Sequence, residues 1–247
     1  MPEHPADYAA LESTAGALPE GASIAPLEFR RVALDAAHTH WDGTPAQAYA
    51  RTVSTNSLEM LWSPDDRSTP GLALLTEFGP GFRESVWRAV AVAAGADPVH
   101  TWRTLDERYR HERDIRHRPY DDAIPALEKA RGEYRLGLLT NGVPKVQRYK
   151  ASAAGLLDYF DEVLVSGDLE LRKPDPRLFN LLLERLGANA DSTVLVGDRP
   201  ATDIAGANAA GIRSIQIRRP DNKHQMDGDI VPDAIITSLE ELSKYLQ

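Results

Sequence analysis

The sequence predicts an α/β fold, a doubly wound parallel sheet with an inserted helical domain, and two observations carry that prediction. Short apolar runs recur with helix-length segments between them. The first run is separated from the second by about 100 residues, far more than one crossover helix needs.

The first run, Val32-Ala33-Leu34, ends abruptly at Asp35. Later runs are Leu136-Gly137-Leu138-Leu139, Val163-Leu164-Val165, Val194-Leu195-Val196 and Ile215-Gln216-Ile217, each bounded by turn chemistry. Asp233-Ala234-Ile235-Ile236 adds a last edge strand. The intervening segments 121–132, 143–154, 175–187, 201–210 and 238–246 read as helices, with Gly155, Gly187 and Gly211 where helices should stop. Strands alternating with helices in this way give a Rossmann-like sheet covered on both faces.

The long segment after Asp35 reads as helical over 46–62, 81–95 and 99–112, with Ser63 to Gly81 as a proline-rich loop. The expected organisation is a poorly ordered leader over 1–27, a core made of 28–43 and 119–247, and a helical cap over 44–118.

Composition narrows the function. The formal charge of −9 gives no general attraction to nucleic acid or anionic membrane surfaces, so any phosphate must be captured locally. No apolar run approaches the roughly 18 residues of a membrane span. The N-terminus lacks the basic start and apolar stretch of a secretory signal. The absence of cysteine excludes disulfides, thiol nucleophiles and thiolate metal sites, and suits a cytoplasmic protein whose metal is held by oxygen.

In sheets of this type ligands lie beyond the carboxyl ends of the strands. Four motifs fall there. Gly197-Asp198 with Asp203 places two carboxylates where they can hold a hard cation, although a turn Asp followed by a helix-start Asp would look the same. Lys173-Pro174-Asp175-Pro176 sets an ammonium on a proline-braced turn, suited to a phosphate and equally to a plain helix start. Thr140-Asn141-Gly142 offers a hydroxyl, an amide and a glycine opening a helix. Asp35 is a carboxylate at a strand end, where it can serve as a nucleophile toward phosphorus or simply as a turn residue. Singly each has an ordinary structural explanation. Their order along one parallel sheet is what selects the chemical one.

With those residues in view, the chain from Phe29 onward resembles the haloacid-dehalogenase (HAD) superfamily of hydrolases with a helical C1-type cap. Val196-Gly197-Asp198-Arg199 and Leu171-Arg172-Lys173-Pro174-Asp175-Pro176 are typical phrases of that superfamily. The region Asp35 to Tyr49 most resembles its hydrolase domain-containing protein 3 branch. The resemblance implies a Mg²⁺-dependent phosphohydrolase of a small phosphorylated metabolite acting through an aspartyl-phosphate on Asp35. It further implies phosphate binding by Thr140, Asn141, Gly142 and Lys173, and metal binding by Asp35, the Ala37 carbonyl, Asp198 and Asp203.

The first motif departs from the family pattern. Family phosphatases read Asp-x-Asp-Gly-Thr, but here the stretch is Asp35-Ala36-Ala37-His38-Thr39, which lacks the acid-base carboxylate. General acid-base assistance is typically worth about 10²- to 10⁴-fold. His38 is the nearest substitute, with His40, Asp42, His100, His111 and His117 as further candidates. An alternative register, His40-Trp41-Asp42-Gly43-Thr44, contains the Asp-Gly-Thr but follows a poor strand. Phosphonoacetaldehyde hydrolases share the Ala but need a cap lysine, and this chain has no lysine before Lys129. Dehalogenases do without the metal-binding Gly-Asp pair retained at Gly197-Asp198. A catalytically weakened protein that binds a phosphorylated ligand or a protein partner is the main alternative, together with non-phosphatase chemistry on the same scaffold.

Overall fold

Where the sequence suggests a first core strand, the structure has a helix. The computed structural model describes residues 5–220 and 229–246, and divides the chain into two units, Met1–Arg118 and Pro119–Gln247.

Among the described residues of the first unit all regular elements are helical: α1 (Pro5–Thr14), a 3₁₀ turn (Ala15–Ala17), α2 (Pro26–Trp41), α3 (Pro45–Val53), α4 (Ser57–Trp62), α5 (Pro70–Ala93) and α6 (Pro98–Asp114). Pro26 occupies the first turn of α2, where its missing N–H costs nothing. From there Phe29, Ala33, Ala36, Ala37 and Trp41 form one buried stripe at helical spacing. Trp41 packs on Phe78 and Phe82 of α5, and Phe29 lies near Trp87 of the same helix. This stripe overrides the three-residue run at 32–34.

The consequence is a correction to the expected first motif. Asp35 lies on the outer side of α2 with its side chain 61% exposed, paired to Arg31 at 2.6 Å. Ala37 is fully buried, and its carbonyl belongs to the helical hydrogen-bond ladder instead of a metal. His38 is an exposed helix residue. Residues 28–43 therefore belong to the first unit and not to the sheet-bearing one.

Of the expected leader, residues 1–4 lie outside the described residues. Residues 5–14 form α1, which packs on α2 and α6 and is anchored by a buried ion pair from Arg113 Nε to Asp7 Oδ1 at 2.5 Å. The expected loop from Ser63 to Gly81 ends early: Thr69 caps the backbone N–H of Leu72, Pro70 takes the first turn, and α5 runs through Pro80. The expected helix over 46–62 is two helices, separated at Ser54, whose positive φ of 61° stops α3. Among the described residues no helix is long and apolar enough to cross a membrane.

The second unit is α/β: α7 (Ala123–Arg131), β1 (Gly137–Thr140), α8 (Pro144–Ala153), β2 (Glu162–Val165), α9 (Pro176–Leu186), β3 (Val194–Gly197), α10 (Ala205–Ala209), β4 (Arg213–Ile217) and β5 (Ala234–Ile236). Among the described residues all strand pairs are parallel. β1 pairs with β2, in register from Gly137 opposite Glu162 to Thr140 opposite Val165. β3, β4 and β5 form a second ladder in that order. Helix α9 lies over both ladders: Leu178, Phe179 and Leu183 pack with Leu164 of β2, Leu139 of β1 and Leu195 of β3. The other face of β3 and β4 is covered by Leu239, Leu242 and Tyr245. The segment expected as a helix over 238–246 is a shorter 3₁₀ turn, Leu239–Lys244, opened by Ser238 with a reciprocal bond from Glu241.

Candidate functional site

The carboxyl ends of β1 and β3 bring the second-unit motif residues together. β3 ends at Gly197, and the chain turns through Asp198 and Arg199 into a wide turn of π type, Pro200–Ile204. That turn carries Asp203 back under the strand end. Its Oδ2 accepts from the backbone N–H of Asp198 at 3.2 Å and of Arg199 at 3.1 Å. The fit requires glycine at 197, because a Cβ there would collide with the Asp203 side chain. The Gly-Asp spacing is thus a packing requirement as well as a chemical one.

Lys173 enters from the loop between β2 and α9. Its Nζ lies 2.8 Å from Asp203 Oδ1 and donates to the Leu139 carbonyl of β1 at 3.0 Å. Asn141, just past β1, fixes the backbone of that loop: its Oδ1 accepts from the Lys173 N–H at 2.7 Å, and its Nδ2 donates to the Lys173 carbonyl at 3.5 Å. One side-chain amide thereby holds the lysine turn against the end of β1. Ala, with no amide, would leave that turn unanchored.

Thr140 is the last residue of β1, with its hydroxyl 3.3 Å from Gln147 Oε1 of α8. Gly142 has φ of 133°, and its N–H donates to Ser166 Oγ, just past β2, at 3.1 Å. A side chain at 142 would meet Gln147. Thr140, Asn141 and Lys173 therefore share one corner, with Asp198 and Asp203 at the adjoining strand end.

Electrostatics separate the two aspartates. Burial, and then the Asp203 charge beside it, push the Asp198 carboxyl above the usual carboxylate range. Burial also acts upward on Asp203, but the Lys173 ammonium and the backbone donors outweigh it and hold that carboxyl low. Asp203 is saturated by the lysine, two backbone N–H groups and the Thr202 hydroxyl. Asp198 is thus the carboxylate suited to a ligand cation, and Asp203 the one that braces it. Among the described residues no group of three or more His, Asp or Glu side chains gathers as a metal cluster. A Mg²⁺ ion needs only one or two carboxylates, with waters and substrate phosphate completing its shell, so this pair fits one.

Two contributors escape sequence reading: the Leu139 carbonyl and the Gln147 amide. The first has no side-chain signature at all. Ser166 falls directly after an apolar run and was legible as a strand-end residue, while Gln147 stands one helical turn past the Thr-Asn-Gly motif. Asp35, Ala37 and His38 belong to the first unit, as described above.

Residues 14–211 match the family model described as haloacid dehalogenase-like hydrolase. The phosphoserine phosphatase of Thermus thermophilus is 36% identical over 198 residues, which is 80% of this chain and 78% of that protein. Among solved structures, a 2-haloacid dehalogenase from Pseudomonas syringae pv. Tomato DC3000 superposes with a TM-score of 0.60 at 26% identity, covering 98% of this chain and 91% of that one. A HAD phosphatase from Thermococcus onnurineus gives a TM-score of 0.51 at 28% identity over 97% of this chain and 86% of that one.

Proposed function

The chain belongs to the haloacid dehalogenase-like hydrolase family and is a hydrolase of the phosphatase type, and we propose that its second unit forms the phosphate- and Mg²⁺-binding side of a phosphohydrolase acting on a small phosphorylated metabolite. The observation that carries this reading is the Lys173 ammonium, held between the Leu139 carbonyl and Asp203 at the strand ends, beside Asp198. A buried point charge there compensates a phosphoryl group that the chain's net charge of −9 would otherwise repel. The likeness to a phosphoserine phosphatase supports a small metabolite as the substrate.

In this reading Thr140 and the backbone N–H of Asn141 bind phosphoryl oxygens with Lys173, and the turn at Gly142 brings backbone close to them. Asp198 holds Mg²⁺, with Asp203 bracing both Asp198 and Lys173. The ion, when bound, neutralises phosphoryl charge. Asp203 holds and aims the Lys173 ammonium, and the Asn141 amide fixes the lysine's backbone. Asp35 is not carried forward as nucleophile, nor Ala37 as a metal-binding carbonyl nor His38 as acid-base group, because all three are residues of α2.

The test is calorimetric titration of the whole chain with inorganic phosphate in the presence of Mg²⁺, alongside phosphate release from a metabolite panel that includes phosphoserine. Binding that weakens by at least about tenfold in Lys173→Met and Asp198→Asn is expected, since each removes a charge-assisted contact. Absence of phosphate binding in the unmodified chain overturns the proposal. The helical placement of Asp35 favours a second reading, binding without turnover. Phosphate bound but released from no substrate would select it.

A further inference from the structure

We propose that Arg83 of α5 and Arg110 of α6 form an oxyanion receptor within the first unit, and that its ligand is a small, singly charged carboxylate. Arg83 and Trp87 stand one turn apart on α5, and Asp106 and Arg110 one turn apart on α6, so each pair lies on one face of its helix. Asp106 joins the two faces. Its Oδ1 accepts from the Trp87 indole N–H at 2.9 Å, and its Oδ2 accepts from Arg110 Nε at 3.1 Å.

Those two donors engage both carboxylate oxygens, and Arg83 is left over. Its Nε stands 3.8 Å from Asp106 Oδ1, beyond hydrogen-bond reach. A guanidinium carries five N–H donors, yet among the described residues that of Arg83 makes no hydrogen bond, although its side chain is only 12% exposed. The Arg110 guanidinium bonds through Nε alone. Burial, and after it the Arg110 charge, pull Arg83 below its ordinary pKa, against the opposing charges of Asp106 and Asp65. Buried cations are ordinarily both paired and hydrogen-bonded, so this arrangement is short of an acceptor.

The guanidinium is also given room. Gly79 is buried one turn before Arg83, and a Cβ there would lie 2.9 Å from Arg83 Nη1 and 3.5 Å from Met60 of α4. Packing fixes the turn of α5 that carries it: Phe82 lies against Trp41 and Phe78, and Trp87 against Phe29 and Tyr109. Charge selects the ligand. Arg83 and Arg110 share one carboxylate within ion-pair reach, which leaves a single positive charge. A monoanion cancels it, whereas the second charge of a dianion would be repelled by Asp106 and by Asp65, whose charge also reaches Arg83. A planar carboxylate matches the guanidinium fork bidentately. The receptor belongs to the first unit and does not depend on the phosphohydrolase reading.

The test follows the Arg83 Nε–H and Trp87 indole N–H resonances of the full chain by NMR during titration with acetate at constant ionic strength. Acetamide and inorganic phosphate are titrated in parallel, at about pH 8, where phosphate is mostly a dianion. Acetate should shift both resonances saturably, acetamide should not, and phosphate should require at least about a fivefold higher concentration. Arg83→Met and Arg83→Lys should each weaken the acetate response of the Trp87 signal by at least about fivefold, the lysine because it keeps the charge and loses the fork. Arg67→Met, which removes an exposed arginine paired with Glu77, should leave that response unchanged. Acetate should raise the urea midpoint of the parent and not that of Arg83→Met. The midpoint of Arg83→Met itself should not fall, because Asp106 keeps Trp87 and Arg110 as donors. Absence of a saturable acetate shift, or an equal response to acetamide, overturns the receptor. Phosphate binding at least as tight as acetate overturns the choice of a monoanion. A lowered midpoint in both Arg83 variants makes the residue structural and overturns the proposal as well.

Discussion

The Lys173 ammonium sits 2.8 Å from Asp203 Oδ1, and both side chains are withdrawn from solvent, at 14% and 7% exposure. Breaking such a pair from one side leaves a buried charge that only backbone donors and a hydroxyl then satisfy. Lys173→Met keeps the aliphatic stem and removes the charge. We expect a loss of about 3 kcal/mol in chemical denaturation, together with loss of phosphate binding. Lys173→Arg should not restore binding, because a planar fork cannot occupy the site of a compact ammonium between the Leu139 carbonyl and Asp203. Full phosphate affinity in the Arg variant would show that charge alone suffices there.

Gly197→Ala tests the close approach of Asp203 to the strand. The added methyl would meet the Asp203 side chain and displace its bonds to the Asp198 and Arg199 N–H groups. Overpacking at buried positions typically costs about 1–3 kcal/mol. The more telling readout is calorimetric: Mg²⁺-dependent phosphate binding should fall although no ligand side chain has changed. Unaltered binding would mean that Asp203 does not brace Asp198.

Those two residues also indicate what a sequence can disclose. Gly197, Asp198 and Asp203 lie within seven residues, so one strand end positions all of them and the chemistry is readable locally. The same holds for Thr140-Asn141-Gly142, and the apolar runs at 136–139, 163–165, 194–196 and 215–217 mark observed strands. Val32-Ala33-Leu34 misleads because three apolar residues fit either period. Only the wider stripe from Phe29 to Trp41, with Pro26 ahead of it, identifies a helix. Contacts distant in sequence have no local signature. The Leu139 carbonyl that accepts from Lys173 is 34 positions away, and Asp7 meets Arg113 across 106.

That last pair makes α1 part of the first unit. Arg113 is 6% exposed, donates to Asp7, and lies over the Trp62 ring at 5.1 Å. Arg113→Ala should therefore cost about 3–5 kcal/mol, the range for orphaning one member of a buried pair. Deletion of residues 1–14 should destabilise the same unit, as a shift of its transition in urea. A deletion that leaves the urea midpoint unchanged would restore the view of this segment as a loose leader.

Asp122 gives the second unit a predictable acid response. Its carboxylate accepts from Arg219 Nη2 at 2.7 Å, from the Leu239 N–H at 2.8 Å and from the Ser238 hydroxyl at 3.1 Å. The Arg219 bond is the main cause that holds its carboxyl below the usual value, with burial opposing. A depressed folded-state pKa contributes stability that is complete above the unfolded value of about 3.9 and is lost as pH falls through the lower folded value. Asp122→Asn should thus be less stable than the parent at pH 7, by about 2 kcal/mol, with the gap narrowing below about pH 4. Thermal unfolding across pH 2.5 to 7 measures it. A gap that widens on acidification would reverse the sign assigned to Asp122.

Asp35→Asn separates the reading from sequence alone from the one the structure gives. If Asp35 were a strand-end nucleophile, the substitution would abolish turnover while leaving the fold intact. On α2 its carboxylate is solvent-exposed and holds an ion pair with Arg31, which Glu28 also engages. Exposed pairs of this kind contribute about 0–1 kcal/mol, and Arg31 keeps its second partner in the variant. Asp35→Asn should therefore change stability by no more than about 0.5 kcal/mol. It should also leave phosphate binding unaltered, and any phosphate release the parent chain shows should persist. Selective loss of release, with binding and stability intact, would return Asp35 to the chemistry and require α2 to rearrange during turnover.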